Sequence, residues 1–395
     1  MMTKTYFADF HIHVGISESG KWIKVPSSKN LTVKNILKTA LYHKGLDIVG
    51  IIDALSPLVQ QDIKDLLVEG SLRELKDGGY LYEDRLVVLV GGEVESREEN
   101  GGLAHSLFYL PTIEQLANLT QELSLHIKNI NMSSQNAHMN IRKLYKIADK
   151  HQAKIIPAHI FTPFKSIYGN CTDRFSKLFN QDDTINIAAV ELGLSADSLM
   201  ADKISELGSF SYLSNSDAHS LQNIAREFNE LAIVGSPNYK SIFAAIEGKK
   251  GRVKTLYGLN PAMGKYYLTR CAECGQQQEY GTKKCSLCGG RVVRGVSERV
   301  QEIADRKTDS LKKEKGVYQY HFPLLEVPGI GSKMLKKVYD NNLTELYVMY
   351  KSSSLEIENI FGKRLALIIE NIKKGKIEIQ SGGAGCYGKI ILEKI

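Results

Sequence analysis

Asp9-Phe10-His11-Ile12-His13 near the start of the chain and Ser216-Asp217-Ala218-His219 far downstream each alternate a metal-capable side chain with an apolar or small one. In an extended strand residues i and i+2 face the same way, so each segment aims paired ligands at one spot. Between them lie Asp53 in GIIDA, Glu93 in VGGEVES, His105 in LAHSLFYLP, His159 in IIPAHIFTP and Glu191 in VELG, nearly all beside a short apolar run. Imidazoles and carboxylates are ligands for Zn, Mn or Fe, and a carboxylate such as Glu93 can bridge two ions. Two neighbouring cations can polarise a phosphodiester, turn a bound water into a hydroxide nucleophile and neutralise the leaving alkoxide, with no protein nucleophile. No GxSxG, P-loop or Gly-rich dinucleotide fingerprint supports a competing mechanism.

The elements that must carry these residues are legible in the same stretch. LDIVGIID, RLVVLVGGEV, AHSLFYL, KIIPAHI, IAAVELG, YLSNSDAH and LAIVGS read as strands, each with a core rich in Val, Ile and Leu. Val33 to His43 and Ile141 to His151 space their apolar residues as amphipathic helices do. Strand and helix alternating about seven times is the grammar of an α/β barrel, whose reactive residues sit at the C-terminal ends of strands. Asp53, Glu93, His159, Glu191 and Asp217 all take that place.

Past residue 257 the pattern breaks at YGLNPAMGKYYLTRC, which divides the chain into 1–257, 258–298 and 299–395. The second part holds Cys271, Cys274, Cys285 and Cys288 as two CxxC pairs, four thiolates suited to a structural, tetrahedral Zn²⁺ in a compact ribbon. The third contains Val327-Pro328-Gly329-Ile330-Gly331-Ser332-Lys333. There Gly329 and Gly331 permit a tight turn, and the N–H groups of the following helix, with Lys333, Lys336 and Lys337, can hold a phosphate. Gly362, Lys363 and Arg364 form a second, degenerate copy. Such helix-hairpin-helix elements grip the DNA backbone without reading sequence. Of the 51 Lys and Arg and 44 Asp and Glu in the chain, 23 and 15 lie from Gly258 onward, so the excess positive charge is C-terminal and points to a polyanionic partner.

The order HxH, Asp after an apolar strand, GxE, two isolated His and a late DxH resembles the PHP (polymerase and histidinol phosphatase) superfamily of metal-dependent phosphoesterases. The resemblance implies a distorted (βα)7 barrel holding two or three divalent ions, Mg²⁺, Mn²⁺ or Zn²⁺. It implies that His11, His13, Glu93 and Asp217 hold one ion, that Glu93, His105 and His159 hold a second, and that His219 joins a third site or contacts the scissile phosphate. His219, Asp53 and Glu191 are grouped as catalytic, Asp53 either as a ligand or behind one. Many relatives have Thr-Asp-His where this chain has Ile52-Asp53-Ala54, which favours two sites over three.

Joined to a zinc module and a DNA-gripping hairpin, with VELGLSAD and SNSDAHS, the domain resembles the endonuclease Q family of DNA repair enzymes over essentially its whole length. That resemblance implies incision 5′ to uracil, hypoxanthine, xanthine or an abasic site, leaving 3′-hydroxyl and 5′-phosphate ends. A lesion enzyme extrudes its nucleotide into a pocket, and Phe161, Phe164, Tyr168 and Asn170, after His159, are candidates for its wall. A replication sliding clamp is a candidate partner. Two other function classes are a histidinol-type small-molecule phosphatase, for which the basic C-terminal modules have no use, and a non-catalytic DNA-binding protein, which would have lost ligands. No apolar run approaches membrane-spanning length and the N-terminus lacks a signal-peptide stretch, so a cytoplasmic, nucleoid-associated protein is expected.

Overall fold

The computed structural model describes residues 3–180, 183, 185–306, 316–374, 376 and 378–391. The first strands are β1 (Thr3–Ile12), β2 (Ile48–Ile51), β3 (Leu72–Glu74), β4 (Tyr80–Tyr82), β5 (Leu86–Arg97), β6 (Leu103–Leu110) and β7 (Lys154–Pro157). Then come β8 (Val190–Glu191), β9 (Tyr212–Leu213), β10 (Phe228–Val234), β11 (Gly251–Gly258), β12 (Arg270–Cys271), β13 (Val292–Val293) and β14 (Val317–Tyr320). Each of the seven apolar runs singled out in the sequence overlaps one of these strands. Helices α1 (Val33–Lys38), α2 (Pro57–Val68), α3 (Ile113–Leu123), α4 (Ile141–Lys150), α5 (Ser198–Ala201) and α6 (Tyr239–Ile246) lie among them. Beyond lie α7 (Val296–Ile303), α8 (Ser332–Asp340), α9 (Glu345–Tyr350), α10 (Ser354–Phe361) and α11 (Lys363–Lys373).

The fold is mixed α/β around a central sheet ordered β14-β11-β10-β1-β2-β5-β4-β3, with β6 on β5 and β7 on β6. β1, β2 and β5 run parallel. β2 (IVGI) and the first half of β5 (LVVLV) are buried throughout and rich in Val, Leu and Ile, each such side chain contributing about 1.5–3 kcal/mol when fully buried. β1 is exposed for three residues and buried for its last five, so it leads inward and delivers His11 at its buried end. β8 pairs in parallel with β9, Ile187 just before β8 touches Ile155 of β7, and Ala218 after β9 touches Ile12 of β1. The strands are thereby linked from β1 through β2, β5, β6, β7, β8 and β9 back to β1.

The alternation of strand and helix is less regular than the apolar pattern suggests. β5 and β6 form an antiparallel hairpin with no helix between them, and β10 returns antiparallel to β1. The amphipathic segments fold as expected. Asn140 caps α4 by accepting the Lys143 N–H, and Ile141, Leu144, Tyr145 and Ala148 form its buried face. α1 runs on through a wider turn to Lys44 and stops at Gly45, whose φ of +85° suits glycine. The C-terminal region is interlocked with the α/β body. β14 adds to the main sheet beside β11, and Val296, Val300, Ile303 and Leu346 belong to the main core. A second core runs from Leu259 through Val338 to Ile372. Among the described residues no helix is long and apolar enough to cross a membrane.

Candidate metal centre and nucleic-acid surface

The end of β1, the middle of β5, β6 and the turns after β7 and β9 bring the expected ligands together. His11 Nε2 and His13 Nε2 are 3.3 Å apart, and Asp217 Oδ1 lies 3.5 and 3.3 Å from them. Glu93 Oε1 is 3.5 Å from His11 Nε2, 2.8 Å from His105 Nδ1 and 3.5 Å from His159 Nε2. Among the described residues three sets of His and carboxylate side chains have ligand atoms within 4.8 Å of one another: His11, His13 and Glu93; Glu93, His105 and His159; and His13, Asp217 and His219. The third set exists although no histidine follows Asp53, because His13 serves it in common with the first.

The donor set fits divalent cations. Glu93 Oε1 is buried and has no hydrogen bond of acceptable geometry, yet imidazole nitrogens surround it. A shared cation would satisfy that oxygen and its neighbours together. The electrostatics agree. Burial alone would raise the pKa of Glu93, but His105, Lys24 and His159 bring it well below the carboxylate range. Asp217 is likewise brought well below by His11, His13 and His219. Against the effect of burial, Glu191, Asp217 and Glu93 push His11 up to about 10. The site is a field that favours positive charge.

Two ligands sit on strained backbone: φ is +31° at His159 and +45° at Asp217, a cost of about 1–3 kcal/mol each. The neighbourhood holds them there. Ala218 N–H donates to His11 O and His13 N–H to Ala218 O, while Arg226 donates to the carbonyls of Ser216 and Asp217. Behind His159, Gly193 at φ +80° leaves room that a Cβ would fill, 2.7 Å from the His159 Cβ. The glycine of VELG therefore serves a ligand on another loop.

Asp53 and Glu191, grouped with His219 as catalytic from sequence, stand behind the histidines. Asp53 Oδ2 lies 3.1 Å from His13 Nδ1 and accepts the Val14 N–H at 2.7 Å. Glu191 Oε2 lies 2.9 Å from His11 Nδ1 and accepts from Asn215 Nδ2 at 2.8 Å, and its Oε1 accepts the His159 N–H. Carboxylates on the far ring nitrogen fix the tautomer and leave the near nitrogen to face a cation. His219 lies at the mouth, its side chain 34% exposed. Its Nδ1 is 2.9 Å from the Asp217 carbonyl, which only accepts, so Nδ1 carries the proton and Nε2 a lone pair. Burial and His13 lower its pKa to about 4.

Several functional neighbours escaped the sequence reading. Glu95 reaches His105 Nε2 at 3.3 Å; lying two residues after Glu93 on β5, it shares its face, so the period-two rule could have found it. Asn215 has no comparable signal. Lys24 has none either, yet its Nζ is 3.1 Å from His13 Nε2 and 3.3 Å from Glu93 Oε2.

The cysteines form a separate cluster, with Cys271 Sγ 3.5 Å from Cys288 Sγ and Cys274 Sγ 3.6 Å from Cys285 Sγ. Four sulfurs around one ion at about 2.3 Å would stand about 3.8 Å apart, so the cluster fits a tetrahedral metal. N–H groups of Glu273 and Leu287 point at Cys271 and Cys285, forming two knuckles. Of the proposed pocket wall, Phe161 and Tyr168 are buried at 1% and 0% and stack on each other. They pack the loop and are closed off from solvent. Asn170 is engaged by Leu103 N–H and Pro163 O. Phe164 remains at the surface, against Tyr266 and under Arg291. In the C-terminal part, Gly329 (φ +95°) precedes Gly331 at the start of α8, and Gly362 (φ +83°) joins α10 to α11. The two turns are neighbours, since a Cβ on Gly329 would meet Leu365 at 3.0 Å. Lys333, Lys337, Lys363 and Arg364 are exposed beside them, and Lys336 pairs with Asp340 at 2.8 Å.

A mixed α/β body that gathers three His and carboxylate sets able to hold metal ions, joined to a four-cysteine cluster that could hold another, has the make-up of a metal-binding protein. No protein-family model matches the chain. It is 38% identical over 390 residues to "Uncharacterized protein YqxK" of Bacillus subtilis (strain 168), covering 98% of this chain and 99% of that protein. A stretch of 252 residues, 58% of the chain, is 36% identical to "Uncharacterized protein MJ0043" of Methanocaldococcus jannaschii and spans 31% of it. The crystal structure of the lesion-specific endonuclease PfuEndoQ from Pyrococcus furiosus superposes with a TM-score of 0.84 at 29% identity, covering 99% of this chain and 96% of that one. Endonuclease Q in complex with a 27-mer duplex carrying an abasic lesion at the active site matches with the same TM-score and identity, over 99% and 97%. The chain belongs to the endonuclease Q family and is a nuclease.

Proposed function

We propose that the protein is a DNA repair endonuclease that hydrolyses the phosphodiester 5′ to deaminated bases (uracil, hypoxanthine, xanthine) and abasic sites. The observation that carries the reading is the convergence of three ligand sets on His13 and Glu93, in a chain that matches a lesion-specific endonuclease along nearly its full length. The strands linked from β1 to β9 form, in this reading, the distorted seven-stranded PHP barrel. His11, His13, Glu93 and Asp217 would hold one divalent ion, Glu93, His105 and His159 a second, and His13, Asp217 and His219 a third. When bound, such ions supply a hydroxide nucleophile and neutralise charge on the scissile phosphate.

The chain's own residues supply orientation. Asp53, Glu191 and Glu95 hold the imidazoles by their far nitrogens. His219 offers its Nε2 lone pair at the mouth, where it would complete the third ligand set. Hydrolysis forms a bond from water oxygen to phosphorus and breaks the bond to O3′, which takes a proton and leaves as the 3′-hydroxyl beside a 5′-phosphate. The cysteine cluster would hold structural Zn²⁺. The paired glycine turns with Lys333, Lys337, Lys363 and Arg364 would grip the backbone, and Phe164 would meet the extruded nucleotide.

End-labelled duplexes carrying one uracil, hypoxanthine or abasic site, incubated with and without Mg²⁺ or Mn²⁺, test the proposal. A metal-dependent cut 5′ to the lesion with 3′-hydroxyl and 5′-phosphate ends is expected. Asp217→Asn should abolish it while leaving DNA binding in place. Cleavage by Asp217→Asn at the wild-type rate would remove the assigned centre.

A further inference from the structure

Lys24 is the one cation among the described residues that faces the ligand atoms directly, and neither the motifs nor the alternation of strands points to it. Its Nζ lies 3.1 Å from His13 Nε2, 3.3 Å from Glu93 Oε2 and 2.6 Å from Ser134 Oγ, with the side chain only 13% exposed. Holding an ammonium there costs desolvation, and ionised carboxylates offset that cost.

The loop that carries Lys24 is built to keep it there. Gly15 O accepts the Lys24 N–H, Ile23 O accepts from Ser133 N–H, and Ser28 N–H donates to His219 O. Gly15 has no side chain because a Cβ would fall 2.3 Å from Ser28 O. The loop is thus tied to the residues just after the first ligand segment, to the 133–134 turn and to the last ligand. The other nearby cations are committed elsewhere: Lys165 pairs with Glu95 at 2.9 Å and is 47% exposed, and Arg226 is engaged by the carbonyls of Ser216 and Asp217.

We propose that Lys24 is a catalytic residue that binds a non-bridging oxygen of the scissile phosphate. The proposal rests on the hydrolytic reading given above. Divalent ions on His13 and Glu93 would repel an ammonium 3 to 4 Å from the same atoms, since like charges at such range disfavour one another strongly in a partly buried site. The long, rotatable stem of lysine then turns the ammonium to the anion that the reaction introduces. That anion is the phosphodiester, which must approach from the mouth where Asp217 and His219 are open to solvent, at 30% and 34%. A fixed cation aimed at charge that develops on phosphoryl oxygens lowers the barrier, and removal of one such donor costs about 10²–10³ in rate.

Lys24→Met and Lys24→Arg, with the wild type beside them, decide the matter by three readings. These are divalent metal content per chain, single-turnover cleavage at saturating enzyme and Mn²⁺, and the affinity of a 5′-phosphorylated product strand relative to its 5′-hydroxyl counterpart. Cleavage by the wild type establishes the hydrolytic reading independently of Lys24. Lys24→Met should keep its metal, lose about 10²-fold in rate and lose the preference for the 5′-phosphate, while Lys24→Arg recovers part of both. Wild-type rate and preference in Lys24→Met would overturn the proposal, as would a loss of metal accounting for the loss of rate.

Discussion

Asp53→Asn separates a residue that orients a ligand from one that is a ligand. Asp53 is buried at 3%. Its Oδ2 accepts the Val14 N–H at 2.7 Å and stands 3.1 Å from His13 Nδ1. Burial would raise its pKa, but His13, Lys24 and a hydrogen bond from Ser133 hold it below the usual carboxylate range. An ionised acceptor there keeps the proton of His13 on Nδ1 and its Nε2 lone pair toward Asp217 and Glu93, 3.3 and 3.6 Å away. Asparagine retains the shape and the bond to Val14 but removes the negative charge that makes the imidazole a better donor to a cation. Loss of such a partner costs about 10–100-fold in metal affinity, or about 1.4–2.7 kcal/mol.

The assay is a Mn²⁺ titration read by competition with a chromophoric chelator and by single-turnover cleavage of an abasic duplex. Both midpoints should move up together by about 10–100-fold, with the rate restored by excess Mn²⁺. In Asp217→Asn the rate should not return at any concentration. Midpoints within about twofold of wild type would refute the orienting role, that being well short of the loss such partners cause. A rate defect that excess metal fails to restore would move Asp53 among the direct ligands.

Two further outcomes follow from the C-terminal part. Replacing Lys333 and Lys363 by Gln should weaken binding to all duplex sequences alike and reduce the slope of log K against log salt by about one per lysine, measured by fluorescence anisotropy; a sequence-dependent loss would contradict backbone gripping. His321, 2% exposed and 2.6 Å from the Tyr350 hydroxyl, has its pKa lowered to about 3 by burial and by Lys44. The folded state therefore keeps it neutral while the unfolded state protonates near 6.5, so its contribution is complete above that pH and is lost as pH falls from there toward 3. Thermal unfolding of His321→Gln should lose less stability between pH 7 and 4 than the wild type; an equal loss would refute the assignment.

The ligands were legible in the sequence because strands alternate. DFHIH lies at the end of β1 and puts its side chains on one side at a spacing of two, whereas SDAH lies in the turn after β9 with Asp217 at φ +45°, and Glu93, His105 and His159 each sit at or next to an apolar run that becomes a strand. Topology was less legible, since β5 and β6 have the apolar signature of buried parallel strands yet pair antiparallel as a hairpin. Burial on both faces produces the same run in either direction. β14 was missed as part of the main sheet because VYQY is largely exposed and follows a hydrophilic stretch. Aromatic type misled at Phe161 and Tyr168: a ring near a site is informative only if it is exposed, and these two stack within the core. Lys24 and Asn215 come from loops whose position is set by backbone bonds to distant residues, which no local pattern encodes.

The third ligand set sharpens what a missing motif residue means. A histidine after Asp53 is absent, and from sequence that absence counts against a third site. In the folded chain sites are not independent quotas of residues, because His13 belongs to two sets and Glu93 to two. What His13 can offer depends on Asp53, which occupies its far nitrogen, and what Glu93 can offer depends on an oxygen left without a hydrogen bond. The departure from the family pattern at 52–54 therefore changes a supporting partner and leaves the shared ligands in place. A ligand inventory taken from motifs undercounts sites wherever one side chain serves two of them, and here the side chains that do so are those most deeply enclosed by neighbouring acids and imidazoles.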